Sequence, residues 1–206
     1  MLKTPKPDPK PTPAPAANKV LVAKGIASGK KAVKISWNNV GADRYVVYLG
    51  KCKGKKAKFK KVKTVNGKTL TFKKGKLKKK TAYGFYVVAM KKCGSSYKKM
   101  TKSLAGYFFT GNVKGKYTNP KSLKLKKTSV SLAKGKTFTL KGKVKKVKAK
   151  KKLTTKYAKQ LRFISNNPKI AAVSAKGKIS AKAKGTCVIY VQTTNGIWKT
   201  CKVTVK

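Results

Sequence analysis

Residues 77–89, LKKKTAYGFYVVA, carry the clearest fold signal in this chain of 206 residues. Within this segment, Tyr83, Phe85, Val87 and Ala89 occupy every second position. Such alternation is typical of a β-strand that buries one face, because successive side chains point to opposite sides of a sheet. The segment therefore predicts a strand with one apolar and one outward face.

The same alternation continues on both sides of this segment. Pairs that favour tight turns, such as Asn66-Gly67 and Asn195-Gly196, separate the apolar segments at intervals of about ten residues. The sequence therefore predicts an all-β fold of two consecutive immunoglobulin-like sandwiches. The further alternating segments are Val33/Ile35/Trp37, Tyr45/Val47/Leu49, Leu70/Phe72, Val130/Leu132, Phe138/Leu140, Ile189/Val191 and Cys201/Val203/Val205.

Composition divides the chain into four parts. The first part places proline at every second position, which predicts an extended stalk. The alternation stops in the stretch Gly111–Ser122, which contains two glycines and Pro120, and we place the linker there. Each flanking part is long enough for a small sandwich core. The expected parts are a proline-rich stalk over 1–18, a first sandwich over 19–111, a linker over 112–122 and a second sandwich over 123–206.

Charge is the most unusual property of the sequence. Lysine and arginine number 56 against 2 aspartates and glutamates, histidine is absent, and the net charge is +54. The acids are Asp8 and Asp43. The sequence lacks the residues needed for a catalytic carboxylate pair or for a Ser–His or Cys–His nucleophile. It also lacks those needed for a histidine-bearing metal site or for magnesium held by carboxylates. We therefore expect no enzyme activity, no catalytic residue, no cofactor and no metal ion.

Apolar segments are short throughout the sequence. No run of about 18 apolar residues is present, and the first residues, MLKTPKPDPKP, contain no apolar region. We expect no membrane insertion and no signal peptide within this chain.

Three features of the first half carry a resemblance to a known family: Trp37, the segment Tyr45–Tyr48 and the spacing of Leu77, Tyr83 and Val87. With these features the first half resembles a fibronectin type III domain. In that family a tyrosine before strand F forms the tyrosine corner. The resemblance implies that Tyr83 hydrogen-bonds back across this corner and serves folding. Lysines stand between Leu77 and Tyr83 where the family usually has a proline.

A second set of segments covers nearly the whole of the second half. They are Thr128–Leu132, Gly135–Leu140, Ser165–Ser174, Gly177–Ile179, Ala183–Val191 and Cys201–Val205. Together they resemble the bacterial immunoglobulin-like group 2 domain, with a lysine-rich insertion over Lys145–Tyr157. The pair of domains is similar to the carboxyl-terminal part of lysine-rich secreted surface proteins of low-GC gut Firmicutes. That resemblance implies a secreted or cell-surface, wall-associated bacterial protein that serves adhesion or display, although a fold does not fix a function.

Two basic runs are candidate anion-binding segments. One interpretation is a solvated surface, and the other is binding of phosphate, sulfate or carboxylate groups with release of counterions. Lysine carries a point charge without the planar fork of arginine, so binding to nucleic acid would be non-specific. The expected partners are wall polymers, glycosaminoglycans, mucin and, without sequence preference, nucleic acid. The candidate residues are Lys73, Lys74, Lys76, Lys78, Lys79, Lys80, Lys145, Lys146, Lys148, Lys150, Lys151 and Lys152.

A candidate apolar patch comprises Tyr48 and Tyr86, which are expected to face outward on adjacent strands, and Trp198 beside the Asn195-Gly196 turn. The two tyrosines either pack against the second sandwich or bind a partner. Trp198 is either a packing residue at the hairpin end or a platform on which a sugar stacks.

The four cysteines include no Cys-x-x-Cys motif and have no histidine partner, which argues against zinc. Cys52 and Cys93 are expected at opposite ends of neighbouring strands, too far apart for a bridge. Cys187 and Cys201 lie on the inward side of the last hairpin, and they form either a disulfide or two buried thiols.

We expect a non-enzymatic, highly cationic extracellular module that is a monomer and binds anionic polymers or surfaces through delocalised lysine charge. One alternative is a structural spacer or display domain without a specific ligand. Another is a non-specific nucleic-acid-binding or antimicrobial polycation.

Overall fold

The computed structural model describes residues 18–111 and 116–206. Within residues 18–111 the chain forms nine strands and no helix. They are β1 (Ala23–Ser28), β2 (Ala32–Trp37), β3 (Arg44–Lys53), β4 (Lys56–Ala57), β5 (Lys60–Asn66), β6 (Thr71–Lys74), β7 (Thr81–Cys93), β8 (Ser96–Lys102) and β9 (Gly106–Thr110).

The first half is a sandwich of two antiparallel sheets. One sheet has the order β1-β2-β6, and the other has the order β4-β3-β7-β8, with β5 on β3 and β9 on β7. The alternating residues of the sequence meet between these sheets, where Ile35, Tyr45, Phe85 and Val87 are fully buried. The Tyr83 hydroxyl accepts a hydrogen bond of 2.9 Å from the Lys78 amide, which is the bond across the corner that the resemblance implied.

The second half also forms nine strands and no helix in residues 116–206. They are β10 (Pro120–Leu125), β11 (Ser129–Leu132), β12 (Thr137–Thr139), β13 (Gly142–Lys146), β14 (Leu161–Ser165), β15 (Ala171–Val173), β16 (Lys178–Ala181), β17 (Gly185–Thr193) and β18 (Trp198–Val205).

These strands form a four-stranded sheet β11-β18-β17-β14, a three-stranded sheet β12-β16-β15 and a two-stranded ribbon β10-β13. β11 runs parallel to β18, whereas β17 and β18 form an antiparallel hairpin. Ile179, Ile189, Val191 and Val203 are fully buried between the sheets. The predicted all-β sandwich class is therefore confirmed.

Three features bear on the predicted division of the chain. The stalk predicted over 1–18 lies outside the described residues, except for Asn18. Strand β10 begins at Pro120, inside the segment that the sequence assigned to the linker. In the described residues, no helix is long and apolar enough to cross a bilayer.

Candidate interaction surfaces

The first lysine run leads from the end of β6 into β7. All six of its lysines are exposed. Its backbone is held in place, because the Lys78 amide bonds to Tyr83 and the Lys78 carbonyl accepts a hydrogen bond of 2.6 Å from the Thr110 hydroxyl. Lys76 and Lys80 have positive φ angles of 56° and 49°. The loop therefore presents its charges from a defined backbone.

The second lysine run extends from β13 into the insertion and lies along residues 116–119. The Thr118 amide donates to the Lys152 carbonyl at 3.0 Å, and the Lys148 amide donates to the Thr118 hydroxyl at 3.2 Å. Lys145, Lys148, Lys150 and Lys152 are exposed, whereas Lys146 and Lys151 are partly covered. The insertion is thus attached to the junction between the two halves.

The two runs approach each other at Gly111, the last described residue of the first half. A Cβ atom on Gly111 would lie 3.9 Å from the Lys80 amide nitrogen, and Gly111 lines a cavity together with Lys148. Two segments about seventy residues apart in sequence therefore flank one junction. The sequence pattern identified each run and did not indicate this proximity.

A third concentration of charge lies on the β10-β13 ribbon. Lys124 stands directly opposite Lys143, and Lys126 lies beside Lys141, because its amide donates to the Lys141 carbonyl at 2.9 Å. All four lysines are exposed. Like charges in such positions repel, and repulsion lowers the stability of the strand pair.

Within the described residues, the single ion pair joins Lys91 and Asp43 at 2.9 Å. The Lys91 ammonium and the Lys92 amide, at 2.7 Å, hold the pKa of Asp43 below its ordinary value. The lysines of both runs and of the ribbon have no such partner among the residues described. Their charge is therefore available to an external anion.

The structure brings Tyr48 and Tyr86 together and separates them from Trp198. The two tyrosine rings stack with centroids 4.5 Å apart, and Phe59 meets Tyr86 edge-on at 4.9 Å. The Lys102 ammonium lies 4.2 Å from the centre of the Tyr86 ring. Every residue in this cluster belongs to the first half. Both tyrosines are partly buried by this cluster, so little free ring surface remains.

Phe59 was not singled out from the sequence, and a pair of glycines explains its position. Gly50 and Gly84 are directly opposite each other on β3 and β7. A Cβ on Gly50 would lie 2.0 Å from the Lys58 carbonyl oxygen, and a Cβ on Gly84 would lie 3.0 Å from the Phe59 ring. The missing side chains leave the space into which this segment folds.

Cys187 and Cys201 are free, buried thiols, and the alternative of a disulfide between them is not realised. In the hairpin, Cys187 is opposite Val203, and Cys201 is opposite Ile189, so the two cysteines are offset by two residues. Burial raises the pKa of both thiols. Among the described residues, no cluster of His, Cys, Asp or Glu has the number of ligands to hold a metal ion.

The junction between the halves is built around the turn that joins β17 and β18. The Thr194 carbonyl accepts a hydrogen bond of 2.8 Å from the Tyr107 amide of β9, and the Asn195 carbonyl accepts one of 2.9 Å from the Gly25 amide of β1. The turn thereby satisfies amides at the edges of both sheets of the first sandwich. Asn195 is 1% exposed, so this turn is buried although its sequence is typical of a surface hairpin.

Arg162 fastens this turn to the first half. Its guanidinium donates to the Ala105 carbonyl at 2.6 Å and to the Thr193 carbonyl at 2.8 Å. Burial lowers the pKa of Arg162 to about 10, which leaves it charged at neutral pH. The adjacent Gln192 is fully buried, and its side-chain amide makes no hydrogen bond to any residue that the structure describes.

Aromatic contacts complete the junction. Tyr107 of the first half stacks on Tyr157 of the insertion at 5.4 Å, and Phe109 lies 6.3 Å from both Tyr157 and Tyr117. The Lys24 ammonium lies 5.4 Å from the centre of the Trp198 ring. Trp198 is partly buried beside the junction.

Comparison with known proteins finds a family match in the second half. Residues 121–203 match the family described as bacterial Ig-like domain (group 2), and domains of this group are typical of extracellular surface proteins of bacteria. Among solved structures, the chain is similar to the fn3 domain of the human collagen alpha-1(XX) chain, with 14% identity over 48% of this chain and 91% of that chain and a TM-score of 0.37. It is also similar to a computationally redesigned β-sandwich protein, with 16% identity over 44% of this chain and 92% of that chain and a TM-score of 0.34. No curated protein matches the chain.

Proposed function

We propose that this chain is a non-enzymatic extracellular module that binds linear anionic polymers through delocalised lysine charge. The observation that carries the proposal is the contrast between a net charge of +54 and a single ion pair among the described residues. Exposed lysines with no internal partner attract anions and release counterions when they bind them. The same repulsion favours a monomer at low salt.

The match of residues 121–203 to a bacterial Ig-like domain supports a location at the cell surface. At the cell surface, suitable partners are polymers that carry phosphate, sulfate or carboxylate groups. Wall polymers, glycosaminoglycans and mucin are such polymers. Nucleic acid would bind without sequence preference, since lysine presents no bidentate fork to a base.

The test is a salt titration of binding to heparin, duplex DNA, a poly(glycerol phosphate) teichoic acid and a neutral glycan. The three anions should bind, and the logarithm of the affinity should fall linearly with the logarithm of the salt concentration. Contact with six or more phosphates implies a loss of about a thousandfold between 50 and 200 mM salt. Absence of binding to every anion near 0.15 M salt would overturn the proposal.

Two charge-reduced variants test whether the charge acts collectively. One replaces Lys148, Lys150 and Lys152 by glutamine, and its control replaces Lys176, Lys182 and Lys184, which are equally exposed. Delocalised binding predicts that both variants lose affinity for heparin to a similar extent. A loss confined to one variant would contradict delocalised binding.

A structural display domain is the second candidate, and the hydrogen-bonded junction favours it. The β17-β18 turn, Arg162 and the Tyr107–Tyr157 stack join the halves into one body, which is what a spacer of fixed length requires. If the chain binds none of the anions in the salt titration, the structural display domain becomes the favoured function.

A further inference from the structure

A groove at the junction has walls from both halves of the chain. Its volume is about 200 Å³. The first half contributes Ile26, Phe109 and Gly111, and the second contributes Pro120, Val147 and Lys148. The groove therefore exists only when the two halves are docked.

The walls of this groove include two exposed apolar side chains. Three large hydrophobic side chains in the described residues are strongly exposed: Ile26 at 40%, Leu104 at 38% and Val147 at 55%. Ile26 and Val147 both line the groove, although they are far apart in the sequence. Their removal from water by a ligand would be favourable, at about 25 cal/mol for each Å² of apolar surface covered.

Lysines from three segments lie in the groove lining or next to it along the backbone. Lys148 lines the groove itself, and Lys80 is adjacent to Gly111. Lys30 and Lys31 follow the lining residue Gly29, and the Lys31 carbonyl accepts a hydrogen bond of 2.8 Å from the Leu77 amide, which ties this turn to the first lysine run.

Negative charge is distant from this rim. Asp43, the one acid in the described residues, bonds to Lys91 and Lys92 near the far end of β7, whereas Thr81 at the start of β7 pairs with Thr110 beside the groove. Ten residues of an extended strand separate these ends, which is about 33 Å. Among the described residues, no side-chain carboxylate competes for the lysines of the rim.

We propose that this groove binds an acidic peptide segment that carries one large apolar side chain. The apolar side chain covers Ile26 and Val147, and the flanking carboxylates meet Lys80 and Lys148. A teichoic acid or a sulfated polysaccharide satisfies the lysines but offers no large apolar group for the walls, so charge and apolar surface together favour the peptide over these polymers. The inference rests on the proposed anion binding and adds a defined ligand class and location to it.

The test uses the full chain and two synthetic peptides of alternating glutamate and serine, one with a central leucine and one with serine in its place. Affinities are measured near 0.15 M salt, with linear polyphosphate as a third ligand. The leucine peptide should bind about tenfold more tightly than the serine peptide, because it alone covers the apolar walls. Equal affinities for the two peptides would overturn the groove proposal, while polyphosphate binding would still support the proposed function.

Three serine variants locate the effect. Val147→Ser and Ile26→Ser should remove most of the preference for leucine and leave polyphosphate binding unchanged. Leu104→Ser, the control at a similarly exposed residue outside the groove lining, should retain the preference. A preference that survives both groove variants, or that Leu104→Ser also removes, would overturn the assignment. If the unaltered chain binds neither polyphosphate nor either peptide, that result would instead contradict the proposed anion binding.

Discussion

The junction and the lysine-covered faces of this protein depend on different kinds of interaction. At the junction, Gly25, Tyr107, Arg162 and the β17-β18 turn make short hydrogen bonds that fix one arrangement of the two halves. On the faces, lysines such as Lys124 stand opposite other lysines. These lysines need only be exposed in order to attract an anion, and their side chains need no fixed arrangement. The junction should therefore be sensitive to single atoms, whereas the charged faces should tolerate many substitutions and respond to salt.

The strongest disruption of the junction should come from Gly196→Ala. Gly196 has a φ of +82°, and a Cβ there would lie 1.9 Å from the Ala23 carbonyl oxygen in the first half. Positive φ and a collision with backbone together should cost about 3 kcal/mol or more. We expect calorimetry to show two unfolding transitions in the variant where the parent chain shows one.

Gly135→Ala is the matched control, because Gly135 has a φ of +83° and its Cβ position has no neighbour within 4 Å. This variant should lose only about 1 kcal/mol from strain and should keep a single transition. Equal behaviour of the two variants would show that contact with Ala23 does not couple the halves.

Gln192→Met should act in the opposite direction and increase stability. The buried Gln192 amide makes no hydrogen bond to a described residue, and an unsatisfied buried polar group costs about 1–3 kcal/mol. Methionine fills a similar volume without that cost. Denaturant unfolding should show a higher midpoint with an unchanged slope. A lower midpoint would mean that the amide takes part in a favourable interaction at the junction.

The smallest effect should come from the charged faces. Lys143→Gln removes the repulsion with Lys124 and should stabilise the protein by a few tenths of a kcal/mol at low salt. The gain should vanish near 1 M salt, where the Debye length is about 3 Å. Lys202→Gln is the control, because Lys202 is paired with Ser129 and Val188 and not with another lysine. Equal gains in both variants would indicate a general effect of net charge.

The strands and cores were predictable because they follow from local alternation. Tyr45, Phe85, Ile189 and Val203 are buried in strands as their period-two positions predicted. The resemblance to a fibronectin type III domain likewise implied a hydrogen bond of Tyr83 across the corner, and the structure forms it with the Lys78 amide. These features depend on residues close in sequence or on the side of a strand to which a residue points.

The candidate surfaces were only partly predictable, since contacts between distant segments build them. Asn195-Gly196 has the sequence of an exposed turn. It is buried because β1 and β9 cover it, and both strands lie more than eighty residues earlier in the chain. Tyr157 ends an insertion that appeared to be merely charged, yet it stacks on Tyr107. Tyr157, an aromatic at the end of a basic run, was the one signal of that contact.

The position of the β17-β18 turn has a consequence for synthesis. A chain emerges from its amino-terminal end, so Gly25 and Tyr107 are made long before Thr194 and Asn195 arrive to accept their amide hydrogens. During that interval the first sandwich has two unprotected strand edges while the chain is still attached to the ribosome. Lys24 on the β1 edge disfavours pairing of that edge with another lysine-rich nascent chain. The charge of this protein would thus protect it first as a growing polypeptide, before any ligand is encountered.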